Sequence, residues 1–144
     1  MANLEPLIQS IPVAPLNLAS LEGCRTLADQ VNNYLVSFRH ESPTNVGQAD
    51  SLQGYCADSY LLECECPRFG SGEGKGVLKE SVRGCDLFIM VDVTNYSLTY
   101  RVNGYENHMS PDNHYQDLKR IISAADGKAR RINVIMPFLY EGRQ

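Results

Sequence analysis

Two stretches of this chain are apolar with almost no alternation: "DLFIMVDV", from Asp86 to Val93, and "RINVIMPF", from Arg131 to Phe138. A strand with one wet face alternates polar and apolar side chains. A run that is apolar at every position suits a parallel strand covered on both faces. Parallel neighbours need a crossover, and "SPDNHYQDLKRIISAADG" lies between the two runs. Ser110 can cap a helix there and Pro111 suits its first turn. Leu118, Ile121, Ile122 and Ala125 form one apolar stripe, and Gly127 can end the helix. The pattern predicts an α/β fold with a mostly parallel sheet. Leu87–Val91 and Ile132–Met136 are expected as neighbours or near neighbours, with a helix from about Pro111 to Ala125 crossing between them in the right-handed sense.

The rest of the chain fits around this unit. Residues 1–15 carry Pro6, Pro12 and Pro15 and read as an irregular lead-in. "LNLAS", Leu16–Ser20, reads as a short first strand. Leu27, Val31, Tyr34, Leu35 and Phe38 recur at helical spacing within 25–39 and predict an amphipathic helix. Residues 39–58 break that period with Pro43, Gly47 and Gly54, as a long loop or insertion does. "SYLLECECPRF" reads as one strand stopped by Pro67, and "GKGVLKE" as a second. Residues 94–109 are polar and aromatic and read as loop. The chain ends just past a central strand, at "YEGRQ". It is therefore expected to be an incomplete domain, with Arg143 and Gln144 in the region where open α/β sheets bind ligands.

A length of 144 residues and a net charge of −4 fit one domain with a moderate core. The only basic concentration, "GKARR", reads as a solvated turn, so no nucleic-acid footprint is expected. No apolar run approaches the ~20 residues that cross a bilayer. The N-terminus lacks the pattern of a secretory signal. Five cysteines, Cys24, Cys56, Cys64, Cys66 and Cys85, show no disulfide framework. They read as buried free thiols of a cytoplasmic protein. "CEC" is too tight for a zinc knuckle, and Cys64 and Cys66 should share one strand face.

Glycine-rich "PRFGSGEGKG", residues 67–76, invites a phosphate-binding reading. It is not a P-loop, because Lys75 is followed by Gly76 and then no hydroxyl residue. A hairpin loop is the plainer reading. Glu73 and Lys75 can still meet a nucleotide or its magnesium, and Phe69 can stack on a base. "ESVRG", residues 80–84, is a turn of the kind whose N–H groups converge on anions, with Arg83 able to grip phosphate. Arg143 and Gln144 pair a cationic fork with an amide. His40, His108 and His114 form no cluster, and His114 reads as solvent-facing or capping. Asp92, at the end of its strand, is a polar site candidate that specifies no reaction alone. No nucleophilic triad, catalytic residue or protein metal ligand can be assigned.

Taken in order, "RFGSGE", "ESVRGCDLFIM", "DLKRIISAADGKARRINVIMPF" and the final "RQ" resemble the N-terminal domain of ribose-phosphate pyrophosphokinases. The match runs from about Arg68 to Gln144, and "RTLADQVNNYL" is similar to the family's first helix. The resemblance implies a phosphoribosyltransferase-like three-layer domain. It implies transfer of the diphosphoryl group of ATP to ribose 5-phosphate, with Mg²⁺, in a homo-oligomer built from dimers towards a hexamer. Phe69, Ser71 and Glu73 match the loop that approaches ATP from a neighbouring subunit. Arg143 and Gln144 match the pair contacting ATP in the same subunit. Ser81 and Arg83 match a phosphate or nucleotide regulatory site. Ser71 replaces a usual aspartate or asparagine, "YEG" replaces Gly-Tyr-Ala before Arg-Gln, and residues 94–109 differ from a short family loop. The family's later metal-binding histidine, catalytic loop and ribose-phosphate motif have no counterpart in these residues. A 144-residue piece alone is thus expected to be inactive. A regulatory or assembly homologue, or another phosphoribosyltransferase-like nucleotide enzyme, stays open as an alternative.

Overall fold

The computed structural model describes residues 12–41 and 54–143. Most of the 39–58 segment and Gln144 therefore lie outside the described residues. The central sheet has four strands: β1 (Leu16–Ser20), β2 (Leu61–Leu62), β5 (Asp86–Met90) and β8 (Arg131–Ile135). Its order is β2-β1-β5-β8 and every pairing in it is parallel. The two continuous apolar runs are thus adjacent, with Asp86 opposite Arg131 and Met90 opposite Ile135.

Two helices cover opposite faces of this sheet. Successive side chains of a strand point to opposite sides. On one side Leu18, Phe88 and Met90 meet Cys24, Ala28 and Val31 of helix α1 (Arg25–Glu41) and the short 3₁₀ turn before it. On the other side Ala19, Leu87, Ile89 and Val91 meet Leu118, Ile121 and Ala125 of helix α2 (Pro111–Ala124). Leu87, Ile89 and Val91 are wholly buried, which is why their strand carries no polar alternation. The Ser110 hydroxyl accepts the Asn113 N–H at 3.2 Å and caps α2. Asp126 and Gly127, both at positive φ, turn the chain away after it.

Five readings of the sequence are corrected. β8 is not covered on both faces: it ends the described sheet, and Val134 and Ile135 are exposed. The buried face of α1 runs through Ala28 and Asn32, while Leu27 and Tyr34 are exposed. Asn32 is drawn inward because its carboxamide oxygen accepts the Tyr60 N–H at 2.8 Å. "SYLLECECPRF" is not one strand. Its β2 joins the parallel sheet, whereas β3 (Cys64–Glu65) pairs antiparallel with β4 (Val77–Leu78). Residues 94–109 are not loop throughout: β6 (Thr99–Val102) and β7 (Tyr105–His108) form a hairpin. Its turn is Asn103-Gly104, both at positive φ, the combination a tight two-residue hairpin requires. Finally, not every cysteine is buried. Cys24, Cys64 and Cys85 are, Cys66 is half-buried and Cys56 is exposed; all five are free thiols.

Candidate functional site

The loop at 67–76 extends the β3–β4 hairpin through a bridge between Arg68 and Gly74. The Phe69 N–H reaches the Glu73 carbonyl at 2.8 Å and the Lys75 N–H reaches the Pro67 carbonyl at 3.0 Å. Gly72 at φ +91° closes the tip. The hairpin is clamped to α2. Arg68 donates two hydrogen bonds to the Asp117 carboxylate, at 2.6 and 2.9 Å, and Arg120 donates a third at 2.6 Å. Only 7% of the Arg68 side chain and 6% of the Asp117 side chain is exposed. The glycines serve this docking. A Cβ on Gly76 would sit 2.2 Å from the Arg120 carbonyl oxygen, and one on Gly74 would strike both guanidinium groups. "GEGKG" thus lets a strand lie directly against a helix.

With its base fixed, the loop presents Phe69, Ser71 and Glu73 at its tip, all exposed. The Ser71 hydroxyl donates to the Glu73 carboxylate at 3.0 Å and so orients it. Lys75 is exposed beside them.

The turn at 80–84 is built differently. Ser81 and Arg83 are exposed around a buried Val82. The Arg83 N–H meets the Ser81 hydroxyl at 3.4 Å, the Gly84 N–H goes to the Lys128 carbonyl and the Cys85 N–H to the Val82 carbonyl. These three N–H groups are engaged internally, so an anion here would rely on the Arg83 side chain. Next to it, Arg131 donates to both oxygens of the Asp86 carboxylate, and Asn133 donates to one of them at 2.8 Å.

Arg143 is exposed in the segment after β8. That segment is tied to α2 by Tyr140, whose hydroxyl donates to Asp112 and whose ring stacks on Tyr115 at 4.3 Å. The hydrogen bond to Asp112 pushes the Tyr140 phenol up to about 12. No hydrogen bond or ion pair joins Arg143 to Phe69, Ser71 or Glu73 within one described chain.

The remaining candidates are structural. Asp92 accepts the Thr94 N–H at 2.8 Å and the Thr94 hydroxyl at 2.6 Å, closing a local turn. His114 is buried rather than solvent-facing, with Nε2 2.7 Å from the Asn95 carbonyl. Exposed His108 stacks on Tyr96 and places Nδ1 2.9 Å from its carbonyl. Burial, reinforced by Asp117, pushes the Cys66 thiol up to about 12; burial alone dominates for Cys64, at about 11. Neither is an activated nucleophile. The Arg68–Asp117–Arg120 cluster was missed from sequence, because its members lie on separate elements. The one available signal was the alternating glycines, which mark close backbone approach.

A parallel sheet between two helical layers, with a clamped hairpin loop beside it, defines an α/β domain of three layers. Residues 16–144 match the N-terminal domain of ribose phosphate pyrophosphokinase, and the chain belongs to that family. Among solved structures it is similar to phosphoribosylpyrophosphate synthetase from Mycobacterium smegmatis. The TM-score is 0.54 at 23% identity, over 86% of this chain and 30% of that one. No curated protein matches the chain. Among the described residues, no helix is long and apolar enough to cross a membrane.

Proposed function

We propose that this chain forms the ATP side of a ribose-phosphate diphosphokinase that works as a homo-oligomer in the cytoplasm. In that reaction the C1 hydroxyl oxygen of ribose 5-phosphate attacks the β-phosphorus of ATP. The bond from that phosphorus to the oxygen bridging to the α-phosphate breaks, AMP leaves and the hydroxyl proton is lost. The observation that carries the reading is the exposed tip of Phe69, Ser71 and Glu73 on a base locked by Arg68 and Asp117. A tip held this way can be offered to a neighbouring subunit at little ordering cost.

Each residue has a distinct part. Phe69 packs on adenine across the subunit boundary. Glu73, steadied by Ser71, faces the polyphosphate end or its metal. Arg143, with Gln144, grips the nucleotide of its own subunit by charge-assisted hydrogen bonds. Ser81 and Arg83 serve as a regulatory phosphate contact. Among the described residues no three carboxylate, imidazole or thiol groups converge. Magnesium therefore fits as the metal–ATP complex, with Glu73 as this chain's candidate ligand. When bound it neutralises charge on the phosphate oxygens. What the chain's own residues do is align the nucleotide.

The test is AMP release with ATP, Mg²⁺ and ribose 5-phosphate, in the oligomer that carries these residues. Arg143→Ala should raise the KM for ATP by roughly ten- to a hundred-fold, the equivalent of about 1.5–3 kcal/mol, and leave ribose 5-phosphate use nearly unchanged. Phe69→Ala should behave alike and be rescued in mixed oligomers with Arg143→Ala. ATP dependence unchanged in both variants would sink the assignment. Intact assembly with no AMP release would point to a regulatory homologue.

A further inference from the structure

A cavity beside the Arg68–Asp117 clamp is lined by none of Phe69, Ser71, Glu73 and Arg143. It has a volume of about 470 Å³, within the range of small-molecule sites. It opens just past β1, at Leu21 and Glu22. The strand order β2-β1-β5-β8 makes the β1/β5 junction the point where the chain reverses its direction of travel across the sheet. Open α/β sheets place ligands beyond the carboxyl ends of their strands at such a junction. Cavity and topology are independent observations, and they coincide.

The walls specify what fits. Leu98, Tyr100 and Met109 of the β6–β7 arm line the cavity together with Ile121 of α2, giving an apolar slot with an aromatic ring. The Tyr100 ring lies 5.1 Å from the Arg68 guanidinium carbon, a cation–π contact. The charges around the slot are already engaged. Arg68 shares Asp117 with Arg120, Glu22 is paired with Arg25 and Glu65 with Lys79. Arg68 is the only Lys or Arg among the lining residues. A polyphosphate would find no free cation there. An uncharged ring would find a stacking surface, a hydroxyl oxygen on Ser97, and the Arg68 N–H groups that Asp117 leaves over.

From this we infer that the cavity between the β6–β7 hairpin and α2 is a second ligand site, which takes an uncharged ring compound of nucleoside size rather than a nucleotide. The hairpin is its roof, which gives a role to residues 97–100. The site uses none of the residues assigned to ATP, so it stands or falls separately from the proposed reaction.

Adenosine and ATP are suitable probes, titrated into the chain by calorimetry. Adenosine should bind at one site, and ATP should bind there at least about ten-fold more weakly. Leu98→Trp, which fills the slot from its roof, should weaken adenosine binding by at least about ten-fold. Arg143→Ala should leave it unchanged. Tyr100→Ala, which removes the stacking ring, gives a second site variant with weakened binding should Leu98→Trp fail to fold. In the native chain, saturating adenosine should slow amide hydrogen exchange at Cys66, which lines the cavity, but not at exposed Cys56. The inference is overturned by no adenosine binding up to millimolar concentration. Unaltered binding in a folded site variant, ATP binding as tightly as adenosine to the same site, or no protection of Cys66 would each overturn it as well.

Discussion

The loop at 67–76 and the turn at 80–84 are both short, glycine-containing and rich in charge, yet they are held by opposite means. The first is anchored by side chains. Arg68 and Asp117 are both buried, and Arg120 completes a three-residue cluster. The second is anchored by its backbone, through Gly84 to Lys128 and Arg130 to Cys85. Its ion pair lies to one side, with Asp86 buried and Arg131 about half exposed. The same arginine–carboxylate chemistry is thus an obligatory clamp in one place and a water-buffered contact in the other. A buried pair holds its loop only while every member is present. A backbone-tied turn tolerates change in its side chains, and Ser81 and Arg83 are exposed on it.

The largest effect should come from Asp117→Ala, which leaves two guanidinium groups near the interior with no counter-charge. A loss of about 3–5 kcal/mol is expected in urea unfolding. Asp86→Asn should cost clearly less, and its effect should shrink at high salt because Arg131 faces water. Equal losses in the two variants would erase the distinction between clamp and buffer.

Next come the glycines. Gly76→Ala drives a methyl group into the backbone of α2 and should cost about 3 kcal/mol. Gly84 faces open space, so Gly84→Ala pays only for its φ of +72°, about 1 kcal/mol. Thermal unfolding of the two variants ranks them, and the reverse order would refute the close-approach account.

The smallest effect is a pH dependence. Cys66, beside the clamp, ionises at about 12 when folded, against a reference value of 9.0. The folded state therefore holds this proton more tightly than the unfolded one. The stability it confers is full below pH 9 and is lost as pH rises towards 12. Cys85, beside the turn, is also raised by burial. Unfolding free energy should decline above pH 9, and Cys66→Ala should flatten the decline more than Cys85→Ala does. An unchanged slope in Cys66→Ala would remove the thiol from the clamp's surroundings.

What could be read from the chain beforehand follows from how local each signal was. Leu87 to Val91 announced a strand covered on both faces, because such a strand leaves no position for a polar residue. Its parallel neighbour β8 was found by its apolar residues although Asn133 is polar and Val134 and Ile135 are exposed. Ser110 and Pro111 marked the start of α2 through rules that act within one turn. The Asn103-Gly104 turn was equally local. It was overlooked because the flanking strands are partly wet and carry Arg101, Glu106 and His108 in place of an apolar alternation. Asp117, His114 and Asn32 sit at helix positions that read as solvent-facing, and each is buried to satisfy a partner on another element. Their environment is a tertiary fact. Phe69, Glu73 and Arg143 were candidates from their residue types, Ser71 joined them by resemblance, and the structure leaves all four exposed.

The parallel register also governs the order in which this domain can assemble. Residue 16 pairs with residue 86, and residue 86 with residue 131. On the ribosome, β1 is made early and then waits, through the synthesis of α1 and both strands of the β3–β4 hairpin, before its main partner exists. In the interval only α1 and the two-residue pairing with β2 can shelter it. Folding dominated by such distant pairings is slow, and the nascent "LNLAS" segment is the stretch that a chaperone has most reason to hold.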